Sequence, residues 1–261
     1  MAIADTAQAL FDARRANEDF KWLKDTDRPE TLADAYSAQS ALLKLWDEAG
    51  DGKIGGWKIA ITSKAMQALC GIDQPCVGGM LDSAIHNSPM QASLGDYGRL
   101  GLEFELAVRM GSEAGMGRVP YDATSIRAHV GAVMPAFELI DDRNADYEGF
   151  DAHSLIADNT WNAGVILGDA IPNWQSIDWV TQPVTLDYNG KIETAVTGDA
   201  MGDPFAALAV VANNLLSRGL SLKPGDIVIT GSTLQTRFAA AGDHATYQID
   251  GFPSVELRVS E

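Results

Sequence analysis

Two glutamates alternate with apolar residues in the run GLEFELAV at 101–108, and a third, Glu138, does the same in MPAFELIDDR at 134–143. Alternation with period two is the pattern of a strand, so Glu103 and Glu105 share one face while Leu102, Phe104 and Leu106 take the other. Side by side the two carboxylates repel, and a face turned inward adds the cost of removing them from water. A hard divalent cation such as Mg²⁺ or Mn²⁺ takes oxygen ligands and would offset both, with positions left over for water or substrate oxygens. Standing alone, an ExE strand is more often the solvated face of an antiparallel sheet. The surroundings have to decide.

The elements that would hold these acids can be read from pattern and caps. Ile3, Ala7, Leu10 and Phe11 fall on one helical face, and Leu32, Ala35, Tyr36, Leu42, Leu43 and Trp46 repeat that spacing after Thr31, whose capping partner is Asp34 and whose helix stops at Gly50. Lys58 lies in the β-rich run GWKIAITS, after which Ser63 caps a short helix ending at Gly71. Asn189-Gly190 between VTLDY and KIETAV predicts a tight hairpin. DIVITG at 226–231 predicts a buried strand, and HATYQIDGFPSVELRV a closing hairpin. Two more helices are expected, from about Ala123 and from Pro204, the latter capped by Asp203 and ended by Gly219. No linker or repeat interrupts the chain, so a helical N-terminal portion (1–70) attached to a mostly β part (71–261) fits best.

The 261 residues carry 36 acidic and 19 basic side chains, a formal net charge of -17. That balance argues against nucleic acid or an anionic membrane as a partner, and an acidic chain that handles an anionic small molecule needs a local cation. Cys70 and Cys76 are too few for a disulfide framework, and there is neither a leader-like N-terminus nor a long apolar block. A cytoplasmic setting is expected.

The segments GWKIAITSKAMQALCGIDQPCVGGMLD, LEFELAV, PAFELIDDR, IADNTWNAGVILG and LKPGDIVITGS stand in an order and spacing that resembles the 2-oxopent-4-enoate hydratase and 4-oxalocrotonate decarboxylase group of the fumarylacetoacetate hydrolase superfamily. The resemblance runs from about residue 30 to the C-terminus. It implies an α+β fold, a mixed β-sandwich or roll with helices outside, and a homo-oligomer. It also implies Mg²⁺ or Mn²⁺ on Glu103, Glu105 and Glu138, with Lys58 beside the substrate. A 2-oxo acid can chelate such a cation, which then stabilises an enolate, the species that both family reactions need.

Further roles follow from the same resemblance. Asp82 matches an acid near the family's pocket and is the candidate for proton transfer or water positioning; a bare aspartate in a turn more often caps it. Asn159 and Asp158 match an ADN segment, with bonding to loop backbone as their simpler role. Ser232 can offer a hydroxyl and N–H to a carboxylate. Asp141 and Arg143 are expected to pair or to support the metal ligands. Leu234 and Gln235 stand where hydratases often show threonine and arginine, and Gly101 where a basic residue is common, departures that concern the substrate tail. The expected reaction is hydration of a 2-hydroxy-2,4-dienoate to a 4-hydroxy-2-oxo acid. The alternatives are decarboxylation of a 2-oxo-3-enedioate, C–C hydrolysis of an acylpyruvate, and a non-catalytic binding paralogue. Hydrolysis is disfavoured because its usual His and Glu pair would lie before His86, the first histidine; His129 and His153 are expected on a helix surface and in a loop.

Overall fold

The computed structural model describes residues 3–118 and 120–261. In chain order its elements are α1 (Ile3–Arg15), α2 (Leu32–Ala49), β1 (Ile54–Ala60), α3 (Lys64–Leu69), β2 (Cys76–Leu81), β3 (Ile85–Asn87), β4 (Met90–Ser93), β5 (Leu100–Met110), α4 (Ala123–Ile126), β6 (Val130–Asp141), α5 (Ala152–Ala157), β7 (Asn162–Leu167), β8 (Pro183–Tyr188), β9 (Lys191–Val196), α6 (Pro204–Ser217), β10 (Ile227–Ser232), β11 (Arg237–Phe238), β12 (His244–Ile249) and β13 (Val255–Ser260).

Local chemistry sets many of these boundaries. Thr31 and Asp34 form the reciprocal capping box of α2, and Gly50 closes it at φ 79°. Ser63 caps α3, Asp203 caps α6, and Asn189 and Gly190, both at positive φ, turn β8 into β9. The helix expected from Ala123 is a single turn, capped by Asp122 and followed by a 3₁₀ turn that holds His129. His153 sits on α5 rather than in a loop, its Nδ1 2.8 Å from the Pro29 carbonyl.

Two sheets carry the architecture. The larger follows the path β2-β1-β10-β5-β6-β7-β3, with β11 also on β5, and the smaller is β4-β13-β12-β8-β9. The segment before residue 70 is therefore not helical throughout, since β1 lies inside the large sheet between β2 and β10. Along β5 and β6 one set of side chains, including Phe104 and Phe137, packs on Tyr247 of the smaller sheet, with Phe104–Phe137 and Phe104–Tyr247 ring centroids 5.7 and 6.0 Å apart. The alternate set faces the inside of a curl. There Met80 of β2 joins Ala107, Met134, Ala136, Val165, Ile227 and Ile229 in a second apolar cluster. The large sheet thus rolls until β2 meets β7. Lys58, Glu103, Glu105 and Glu138 continue the inward face toward the mouth of this roll.

Outside the roll, α1 and α2 pack together through Ala7, Leu10, Leu42 and Trp46 and reach the end of α5 at Ala157. The ties are polar as well. Asp158 is buried between two guanidiniums, 2.9 Å from Arg14 Nε and 2.7 Å from Arg143 Nη2. Arg143 does not pair with Asp141 as expected; Asp141 Oδ1 accepts the backbone N–H groups of Gly98, Arg99 and Arg143 instead. No helix among the described residues is long and apolar enough to cross a membrane.

Removing Asp158 would leave a buried arginine without its anion, a loss of about 3–5 kcal/mol for such a pair. Urea denaturation of Asp158→Ala should show that loss, and a variant as stable as the wild type would refute the structural role given to this aspartate.

Candidate metal centre

Glu103 and Glu138 are direct cross-strand partners, and Glu105 lies two residues further along the same face of β5. One carboxylate oxygen from each of the three lies within 4.8 Å of the others. Glu105 and Glu138 are fully buried, while Glu103 is partly open to the cavity.

Each acid is fixed by a second group. Gly231 N–H donates to Glu105 Oε2 at 2.7 Å, from a bulge in β10 where the glycine stands at φ 104°. Asn162 Nδ2 donates to Glu138 Oε1 at 3.0 Å, and Thr236 Oγ1 to Glu103 Oε1 at 2.7 Å. Lys58 Nζ approaches Glu138 Oε1 at 2.6 Å and donates to the Thr160 carbonyl at 3.2 Å. Sequence reasoning missed Gly231, Thr160, Asn162 and Thr236. Two of these act through backbone atoms that residue type does not reveal.

The Thr160 carbonyl is placed by an unusual turn. Asn159, Thr160 and Trp161 stand at φ 56°, 52° and 57°, three left-handed residues in succession, a conformation that costs of order 1–2 kcal/mol per residue. Asn159 holds the turn by pairing its amide with both the N–H (2.7 Å) and C=O (2.8 Å) of Gly79 on β2. A side chain at the neighbouring Gly78 would put its Cβ 2.2 Å from Thr160 Oγ1, so only glycine lets the turn sit this close to β2.

The electrostatics are unbalanced. Three carboxylates face one ammonium, which leaves two negative charges in excess when all are ionised. Burial, reinforced by Glu138 and Glu103, pushes Glu105 well above the usual carboxylate range. Burial, partly opposed by Lys58, raises Glu138 to about 7. Burial alone would lower Lys58, but Glu138, Glu103 and Glu105 together outweigh it and hold the lysine above its ordinary value. Glu105 Oε1 and Glu138 Oε2 are buried with no hydrogen-bond partner. Two orphaned carboxylate oxygens beside a third acid fit a hard divalent cation, which would take them as ligands and cancel the excess charge.

A cavity of about 760 Å³ opens from this cluster, lined by Lys58, Glu103, Thr160, Ser232, Leu234 and Gln235 among others. Much of the rest of its lining is apolar, from Met66, Ile140, Phe150, Leu155, Trp161 and Phe238. Of the residues singled out from sequence, the cavity is lined by Lys58, Glu103, Ser232, Leu234 and Gln235, and Glu105 and Glu138 complete the cluster as fully buried neighbours of Glu103. It does not gather the other two. Asp82 is exposed in a turn, where its Oδ1 accepts the N–H of Lys53 at 2.9 Å and of Ser83 at 2.8 Å, and Asn159 is spent on Gly79. Ser232 Oγ accepts Phe104 N–H at 2.9 Å and donates to the Leu234 carbonyl at 2.8 Å, so its first task is to shape the loop after β10. No histidine among the described residues lines the cavity.

A family model described as fumarylacetoacetate (FAA) hydrolase C-terminal matches residues 81–260. The chain belongs to the fumarylacetoacetate hydrolase family. Within it the chain sides with the hydratase and decarboxylase group. It is 31% identical to a 4-oxalocrotonate decarboxylase of Pseudomonas putida over 89% of this chain and 87% of that one. It is 32% identical to a 2-oxo-hept-4-ene-1,7-dioate hydratase of Escherichia coli over 94% and 92%. The structure of 4-oxalocrotonate decarboxylase from Pseudomonas putida G7, complexed with magnesium and adipate, superimposes with a TM-score of 0.89 at 27% identity, over 98% of this chain and 97% of that one. The α+β fold of the family, rolled sheet and N-terminal helices included, is the fold of this chain.

Calorimetric titration of the chain with Mg²⁺ or Mn²⁺ should show one site, weakened at least about tenfold in Glu105→Gln and in Glu138→Gln and unchanged in Asp82→Asn. Equal binding by all three variants would remove the carboxylate cluster as the centre. The metal-free chain should also respond to pH. A folded-state value of about 7 for Glu138, against an ordinary 4.5, means the fold holds a proton that the unfolded chain releases, so this stabilisation is complete below about pH 4.5 and is lost as pH rises through about 7. Glu105 acts in the same direction. Melting temperature in EDTA should fall across that window, less steeply in Glu138→Gln, and Mg²⁺ should flatten the fall.

Proposed function

We propose that the chain is a divalent-metal-dependent lyase that decarboxylates a 2-oxo-3-enedioate through its enolate. The observation that carries this reading is that one cavity joins Lys58 and the carboxylate cluster to a lining rich in apolar side chains. When bound at the three glutamates, the cation supplies electrophilic stabilisation to the 2-oxo acid end of the substrate. The chain's own residues do the rest.

Lys58, aimed by the Thr160 carbonyl and Glu138, stands where it can hydrogen-bond the oxygen that becomes negative and deliver a proton to it. The C–C bond to the far carboxyl group breaks, its electron pair passes through the conjugated alkene to the 2-oxygen, and CO₂ leaves. Protonation of that oxygen gives the 2-hydroxy-2,4-dienoate. Phe150, Leu155, Trp161 and Phe238 are the apolar side chains that the cavity offers to the leaving carboxylate, and Lys58 is the one cation among its described lining residues. An unpaired carboxylate in such a wall is poorly stabilised, whereas neutral CO₂ loses nothing there, so the wall favours the cleaved state. Arg99, stacked 4.5 Å over the Phe238 ring, is already paired with Asp142.

Hydration asks for more. It needs a proton carrier and a held water near the far carbons of the dienoate, and the acid proposed for that task, Asp82, is engaged in its turn outside the cavity. Tyr147 is also committed, its hydroxyl donating to Asp142 at 2.8 Å and its pKa raised by burial. Hydration of a 2-hydroxy-2,4-dienoate stays as the second reading because Thr62 and Gln235 place neutral hydrogen-bonding groups in the wall that can hold a water. The hydratase relative supports it as well.

Ultraviolet-monitored turnover of 2-oxohex-3-enedioate and of 2-hydroxypenta-2,4-dienoate, with Mg²⁺, Mn²⁺ or EDTA and products weighed by mass spectrometry, decides between them. Metal-dependent loss of CO₂ is expected. Gain of water by the dienoate alone would establish the second reading, and inertness toward both would sink the first two together. Lys58→Met should lower kcat by about 10²-fold or more while metal binding persists.

A further inference from the structure

On the opposite side of β1 from the carboxylates lies a groove of about 880 Å³ between α2, the Gln74-Pro75 turn and α6. Its cation is Arg218, just past the last turn of α6. The guanidinium carbon stands 4.3 Å from the centre of the Tyr36 ring and 6.0 Å from that of Trp57. Aromatic rings therefore fix its plane and leave its N–H edge to find partners.

Those partners are neutral and distant. Arg218 donates to Ser40 Oγ at 3.2 Å, Gln39 Oε1 at 3.3 Å and Asn214 Oδ1 at 3.4 Å. Eight other arginines among the described residues each have a carboxylate oxygen within 3.7 Å. Arg218 has none although it is half-buried, and no aspartate or glutamate lines its groove in a chain that contains 36. The end of α6 does not account for it, because its hydrogen bonds go to side chains rather than to the last carbonyls of the helix. A second donor points the same way. The Tyr36 hydroxyl accepts from Val77 N–H and from Asn214 Nδ2, each at 3.1 Å, and its own hydrogen meets no acceptor among the described residues.

We propose that this groove binds a small oxyanion, a carboxylate or phosphate group, held by the Arg218 N–H groups that Ser40, Gln39 and Asn214 leave unfilled, or hold only at long range, and by the Tyr36 hydroxyl. Such a group offers the planar or trigonal oxygens that a guanidinium edge recognises, and it would remove the cost of a half-buried cation without a counter-charge. The site is separate from the carboxylate cluster: Trp57 and Lys58 are consecutive on β1 and face opposite sides of the sheet.

The test is calorimetric titration of the metal-free full chain with inorganic phosphate and, separately, with succinate, at matched ionic strength in chloride. Saturable binding of at least one of them is expected, and the arm that binds tells phosphate from carboxylate. Arg218→Gln should weaken it at least about tenfold, Tyr36→Phe several-fold, and Lys58→Met not at all. Tyr36→Phe keeps the ring under the guanidinium, so it carries the test by itself should Arg218→Gln fail to fold by circular dichroism. Binding of neither anion, binding unchanged in the Arg218 or Tyr36 variant, or loss of binding in Lys58→Met would overturn the proposal.

Discussion

Three carboxylates and one ammonium share the mouth of a rolled sheet, and most of the local structure around them answers the repulsion that results. Strands hold the acids because a cross-strand pair such as Glu103 and Glu138 keeps its separation without depending on a loop. The remaining lone pairs are met by donors from four different segments: the amide of Gly231, the side chains of Asn162 and Thr236, and the ammonium of Lys58. Two carboxylate oxygens stay without a partner, and in so closely filled an interior they are the unsolved part of the arrangement. A divalent cation would complete it, and the centre would then be a feature of the fold as much as of the chemistry.

The same cluster explains why the wall beside it carries strain. Lys58 needs an acceptor other than Glu138, and the Thr160 carbonyl provides one only from a turn of three left-handed residues. That turn is held twice at its start. Asn159 clamps it to Gly79, and Asp158, immediately before it, is locked between Arg14 and Arg143. The N-terminal helices are thereby joined to the cavity wall, because Arg14 belongs to α1 and Trp161 belongs to the cavity.

Much of this frame is legible in the sequence because it is local. The α2 capping box, the Asn189-Gly190 turn and the alternation through Glu103 and Glu105 each depend on residues a few positions apart, and the structure contains all three. What was not legible depends on long-range placement. The pairing of Asn159 with Gly79 joins residues 80 positions apart, and nothing in the pattern around Asp82 distinguishes a turn cap from a proton carrier. Backbone donors and acceptors are the other blind spot, since Gly231 and Thr160 contribute an N–H and a C=O that every residue of those types possesses. The β-rich run GWKIAITS predicts the strand β1, but its place inside the large sheet follows from a parallel pairing with β10 that no local signal encodes.

The division of labour within the cavity bears on how one fold can serve both hydration and decarboxylation. The carboxylate cluster and Lys58 are assembled from strands and, in the function proposed above, would recognise what the two reactions share, a 2-oxo acid on its way to an enolate. Part of the remaining lining comes from less regular segments: the β10–β11 connection with Leu234 and Gln235, the turn at Trp161 and the stretch holding Tyr147 and Phe150. A group that must lose its charge and depart is served by apolar contacts, and a water that must be held and deprotonated is served by polar ones. Exchanging a few side chains in those segments would shift the balance without disturbing a metal ligand. On the proposed function, the reaction type would be set by those residues, and the glutamates that first draw attention in the sequence would carry the chemistry common to both.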